Sequence, residues 1–213
     1  MKIVKVRITL LEEMLGMSAR PDVHAKFIAS KAPDAMSMEE EVEALGTEEV
    51  VENSRTVFPR EKGTPFVWDY QIKGFFKDAC KMLRRTEGML STNLVAHKQI
   101  IDGHVFPKPR KILLNLPEGT GIGNCQRPIR VETAQGPRVA LADSETVPAG
   151  TTFDMDIYLM EPKAKKGKPT LEQCVEEWLD YGMLRGLHQW RNSGKGTFKY
   201  ELLDVTDSGE KFA

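Results

Sequence analysis

Hydrophobic spacing along this chain switches between strand-like and helix-like periods in a definite order, and that order constrains the fold more than any single motif. Residues 2–11 read as a strand, with Ile3, Val4, Val6, Ile8 and Leu10 set against Lys5, Arg7 and Thr9. Residues 71–85 read as a helix, because Ile72, Phe75, Phe76, Ala79, Met82 and Leu83 recur at helical spacing. From Thr151 to Met160, Phe153, Met155, Ile157 and Leu159 alternate with Asp154, Asp156 and Tyr158, which predicts a strong strand. A second amphipathic helix follows over 170–184, with Leu171, Cys174, Val175, Trp178 and Leu179 on its apolar side, and a last strand over 197–205. Shorter extended segments are expected at Arg55–Phe58 and Pro65–Tyr70, around a Lys62-Gly63 turn, and at Lys111–Leu116 and Arg138–Ala142. Pro148 and Gly150 suit a turn into the Thr151 strand, and Ser37 opens a short acidic helix that ends near Gly46.

The sequence therefore predicts an α+β fold: a split β-α-β-β-α-β unit, with an antiparallel sheet backed by two helices. One domain is expected, with its core over 1–12, 70–86 and 108–205. Insertions over 13–69 and 86–140 are too long for plain loops and predict accessory lobes, and 206–213 reads as a frayed polar tail.

Charge decides which partners are open to such a domain. The net charge of the 213 residues is −1, so any nucleic-acid surface must be local. Acidic residues gather at Glu39, Glu40, Glu41, Glu43, Glu48, Glu49 and Glu52. Basic residues gather later: Lys73, Lys77, Lys81, Arg84 and Arg85; Lys108, Arg110, Lys111, Arg127, Arg130 and Arg138; Lys163, Lys165, Lys166 and Lys168. Opposed faces of this kind would let copies attract head to tail, although each cluster alone also fits a solvated surface. Cys80, Cys125 and Cys174 are widely spaced, form no metal-ligand pattern and read as reduced thiols in a cytoplasmic protein. No signal-peptide pattern or membrane span is expected, and no cofactor.

The segment from Trp178 to Tyr200 carries Gly182, Gly186, Gly194 and Gly196 together with Arg185, Arg191 and Lys195. Glycines allow close approach of a bulky partner and the cations can neutralise phosphates, which points to backbone contact with a polyanion. The same residues equally fit a helix cap followed by a tight turn. For this segment to grip nucleic acid, it must lie open with its arginines free.

Three segments resemble the repeat-associated (RAMP) superfamily of CRISPR proteins, and more narrowly the backbone subunits that line up along a guide RNA. They are Tyr70-Gln-Ile-Lys73-Gly74-Phe-Phe-Lys77-Asp-Ala-Cys-Lys81, Glu145-Thr-Val-Pro148-Ala-Gly150-Thr-Thr-Phe153, and the glycine-rich stretch from Gly182 to Gly196. The first departs from the family's frequent Pro-Gly-Ser start by having Ile-Lys-Gly. The resemblance implies a ferredoxin-like, RRM-type core that holds single-stranded RNA (or single-stranded DNA) by its backbone, a thumb-like excursion within 91–140, and self-association into a filament-like row. A stand-alone or phage-encoded relative that keeps the fold as an accessory or assembly protein is an alternative. The cations such binding would use are Lys73, Lys77, Arg110, Arg127, Arg130, Arg185, Arg191 and Lys195, with stacking from Trp190, Phe75 or Phe106.

Catalysis is the competing expectation. Some relatives cut RNA without metal through a histidine, for which His24 and then His188 are the candidates. Others cut with a loop aspartate, for which Asp22 and Asp34 lie in the matching excursion. Asp154 and Asp156 put two carboxylates on one side of a strand, as Mg²⁺ binding would need, and as a wetted strand face would also have. Only one ferredoxin-like half is evident, whereas processing ribonucleases of this type pair two, so a non-catalytic binding subunit is the reading the sequence favours.

Overall fold

The structure, a computed structural model, describes residues 1–19, 55–133, 136–162 and 167–207, without side chains over 129–141. It is α+β with mostly antiparallel sheets. The strands in chain order are β1 (Lys2–Leu10), β2 (Met14–Leu15), β3 (Ser18–Ala19), β4 (Thr56–Val57), β5 (Arg60–Glu61), β6 (Thr64–Trp68), β7 (Val105–Lys108), β8 (Lys111–Leu113), β9 (Gly123–Thr133), β10 (Gly136–Val147), β11 (Thr152–Leu159) and β12 (Phe198–Asp207). The α-helices are α1 (Asp69–Leu83), α2 (His97–His104) and α3 (Leu171–Asp180).

The central sheet has four strands in the order β12-β1-β11-β7, and every neighbouring pair is antiparallel. Period-two alternation explains its layering. Val4, Val6, Ile8 and Leu10 of β1 and Phe153, Met155, Ile157 and Leu159 of β11 point into the core, where none is more than 3 % exposed. Helix α1 meets them with Ile72, Phe75, Phe76, Ala79 and Cys80, and α3 with Leu171, Cys174, Val175, Trp178 and Leu179. Phe76 packs on Trp178 and Phe75 on Phe198, with ring centroids 5.6 and 5.3 Å apart. Burying this many large side chains, each contributing about 1.5–3 kcal/mol, accounts for the tie between helices and sheet.

Helix starts follow local chemistry. Thr170 and Gln173 form a capping box at α3, their side chains each accepting from the other's backbone N–H. At α1 the Gln71 carboxamide accepts from the Trp68 N–H at 2.8 Å. The helix therefore begins at Asp69, so the expected extended segment ends earlier than Tyr70.

The fourth sheet strand corrects the sequence expectation. It is β7, inside a stretch read as irregular, and neither Lys111–Leu116 nor Arg138–Ala142. Pro107 conceals it, since proline argues against a strand interior, but β7 is an edge strand and tolerates the missing N–H. Lys111–Leu113 instead becomes β8 in a separate sheet, ordered β5-β6-β8, whose first hairpin turns at Lys62 and Gly63, both with positive φ. Arg138–Ala142 lies in β10, which pairs with β9 over the long register Gly136↔Thr133 to Thr146↔Gly123. That hairpin is rooted in a five-stranded sheet with β2, β3 and β4. The expected acidic helix from Ser37 lies outside the described residues, as do the acidic cluster, Lys163, Lys165 and Lys166. Among the described residues no helix is long and apolar enough to cross a membrane.

Candidate nucleic-acid interface

The glycine-rich segment leaves α3 through a short 3-10 turn, Tyr181–Met183, and re-enters the sheet at Phe198. Its glycines serve close approach, but to this chain itself. A Cβ on Gly182 would lie 2.1 Å from the Phe198 ring, one on Gly186 2.1 Å from the Lys195 carbonyl oxygen, and one on Gly196 2.4 Å from the Leu187 carbonyl oxygen. The Leu187 N–H donates to the Gly196 carbonyl at 2.8 Å, which closes the bend on itself. Gly194 has open space around it and a φ of 82°, a turn requirement.

The cations of the bend are paired. Arg185 Nε and Arg191 Nη1 both donate to Asp78 Oδ2 on α1, at 2.6 and 2.9 Å. Arg185 also donates to Asn192, and Lys195 pairs with Glu13 at 2.8 Å, a hydrogen bond that raises the ammonium pKa. Arg127, buried on β9, donates to Ser144 Oγ and Gln189 Oε1. The bend thus closes on itself and its arginines are engaged by a carboxylate, unlike the open loop with free arginines that a phosphate grip requires, although Met183, Leu184 and Trp190 remain exposed. The cap-and-turn alternative accounts for these residues.

The other expected cations are dispersed. Lys77 bonds Asp102 at 2.5 Å, and Lys73 donates to the Asp102 carbonyl while its ammonium sits 4.5 Å from the Phe106 ring centroid. Arg110 stands apart: its side chain is 73 % exposed and its one carboxylate contact among the described residues, to Asp69, is 3.9 Å long. Arg130 lies on β9, in the stretch without described side chains. Of the expected stacking residues, Phe75 is core, Phe106 is half-buried, and Trp190 is exposed with a left-handed backbone and the Arg127 guanidinium 5.2 Å from its ring.

Sequence reading missed one aromatic group. Phe66, Trp68 and Tyr70 form a ladder: Phe66 meets Trp68 edge-on at 4.9 Å, and Trp68 stacks on Tyr70 at 6.1 Å and 17°. Arg110 lies 5.9 Å from the Trp68 ring, and Lys111, which also bonds Glu61, lies 5.5 Å from that of Phe66. The i, i+2 spacing of three aromatics was the available signal, masked by the change from strand to helix at Asp69.

Of the histidine and loop-aspartate candidates for catalysis, the structure describes His188 alone. His24, Asp22 and Asp34 lie outside the described residues. His188 has φ 62°, stacks on Phe58 and hydrogen-bonds the Leu15 carbonyl through Nδ1, while Nε2 is enclosed without a partner. Burial pushes its pKa down to about 4, and with Nδ1 bonded to backbone and Nε2 enclosed it reads as a neutral structural imidazole. Asp154 is held by Arg7 through two bonds of 2.7 Å that lower its pKa, which corrects the Mg²⁺ possibility for the Asp154–Asp156 pair. Among the described residues no group of three or more acidic, histidine or cysteine side chains could hold a metal.

No family model and no curated protein matches the sequence. Among solved structures the fold is similar to a chain in the cryo-EM structure of the Type III-B Cmr-beta bound to cognate target RNA, at 13 % identity and a TM-score of 0.50. The match covers 96 % of this chain and 60 % of that one.

Proposed function

We propose that this chain is a non-catalytic subunit that binds single-stranded RNA on a ferredoxin-like core, in the manner of RAMP-superfamily backbone proteins, and assembles with further copies or related subunits along the strand. The observation that carries the reading is the sheet order β12-β1-β11-β7, with α1 and the shorter α2 between β1 and β7 in sequence, α3 between β11 and β12, and α1 and α3 both packed against the buried side chains of β1 and β11. That arrangement leaves the opposite face and the β7 rim uncovered, as RRM-type cores do where they meet RNA. The long β9–β10 hairpin supports the thumb-like excursion. The likeness to a chain of an RNA-bound complex supports the same partner. The outer sheet face mixes exposed Lys5, Lys108 and Lys199 with Asp154, Asp156 and Glu201, so the reading places RNA on part of that face and its rim.

The test is direct. The purified protein is expected to bind a labelled single-stranded RNA with salt-dependent affinity, to prefer it over single-stranded DNA of the same sequence, and to leave it uncut with or without EDTA. Native mass spectrometry of the complex is expected to show several copies per strand. Absence of measurable binding at low salt would remove the reading, and metal-independent cleavage would replace it with the ribonuclease one.

A further inference from the structure

We propose that Trp68, Tyr70 and Arg110 form a stacking subsite for an unpaired RNA base, with Arg110 contacting its phosphate. The inference rests on the RNA-binding reading above and locates one contact within it.

The platform is built by the backbone. Strand β6 delivers Trp68 as its last residue, and α1 begins at the next. The Asp69 N–H donates to the Arg110 carbonyl at 3.0 Å, fixing the segment between β7 and β8 against the start of α1. Trp68 pairs with Lys111 across the β6–β8 ladder. On the opposite face of that ladder Val67 and Ile112 are fully buried, and on the aromatic side Phe66 is buried as well, so the small sheet is anchored and exposure rises along the ladder from Phe66 to Tyr70.

What remains outward is unusual for a surface. Tyr70 is 56 % exposed although Trp68 stacks against it nearly parallel. A half-buried ring supporting an exposed one is a rigid flat surface, which costs little conformational entropy to use. Arg110 borders it with a largely solvated guanidinium. On α1, Lys73 lies three residues beyond Tyr70, on the same side of the helix, with its ammonium 4.5 Å from the Phe106 ring centroid. A flat aromatic surface bordered by a solvated guanidinium matches the elements of a single strand, a π-face followed by phosphates. Asp69 opposes an anion here, but its carboxylate also accepts from the Tyr70 N–H and helps fix the ring.

The test compares a short oligouridylate with an abasic oligonucleotide of equal charge, using the full chain. Tyr70→Ala is expected to weaken oligouridylate binding about five- to tenfold, Tyr70→Phe to retain it, and neither to change abasic binding. Arg110→Ala is expected to weaken both ligands and to lower the salt slope by about one phosphate. Base addition to the wild type is expected to alter tryptophan emission, and this change should shrink in Tyr70→Ala. If the wild type binds RNA while Tyr70→Ala binds both ligands as the wild type does, the subsite is wrong and the RNA reading survives. If the wild type binds neither ligand, both fall.

Discussion

His188 shows how one residue can combine backbone strain, burial and pH sensitivity. Both ring nitrogens face protein, and burial pushes the imidazole pKa down to about 4, against about 6.5 when unfolded. A depressed histidine pKa means that the unfolded chain takes up a proton before the native one does. Stability from this group is therefore complete above about pH 6.5 and declines as pH falls toward 4. His97, whose pKa is also lowered by burial, acts in the same direction. Urea unfolding is expected to show a loss of about 2 kcal/mol from His188 between pH 7 and pH 5, and a His188→Gln variant should show a correspondingly flatter pH profile.

At the scale of elements, Asp78 joins the first long helix to the bend before the last strand. Its carboxylate holds two arginines in partly buried surroundings. Asp78→Ala is expected to destabilise the fold by about 1–2 kcal/mol, since both cations lose their partner while retaining some access to water. In an Arg185→Ala, Arg191→Ala background the same change should cost little, and a double-mutant cycle by denaturant unfolding checks the difference. The elements that carry this linkage were legible in unequal degree. Strands β1 and β11 and helices α1 and α3 stand out because one face of each is apolar at a regular period. Strand β7 does not, because four residues including Pro107 give too little pattern. Asp78 could not be assigned to Arg185, since 107 positions separate them and only the packing of α1 brings them together. The glycines at 182, 186 and 196 were legible as sites of close approach, but the approaching group is the chain's own Phe198, Lys195 and Leu187.

For the whole molecule, the expected binding surface moves, under the proposed reading, away from the glycine-rich bend and toward the junction of β6 and α1. Arg191→Ala combined with Lys195→Ala is expected to lower thermal stability yet leave the salt slope of RNA binding unchanged, whereas Arg110→Ala lowers that slope. Titrations at several ionic strengths decide it: a reduced slope in the double variant would mean that the bend opens onto phosphate after all. Of the core elements, β1, α1, β11, α3 and β12 were readable from periodicity and β7 was not. The placement of the cations was not, because charge clusters in a sequence carry no record of which carboxylates fold against them.

The two margins of the central sheet are chemically unlike. On one side, Pro107 withholds a backbone donor from a four-residue strand. On the other, β12 runs for ten residues with Leu202, Leu203 and Val205 each more than two-fifths exposed. A neighbouring polypeptide could lengthen the hydrogen-bonded ladder along the β12 margin but would find it interrupted along β7. Under the proposed assembly, strand addition would therefore use the β12 border and leave the β7 border for other company.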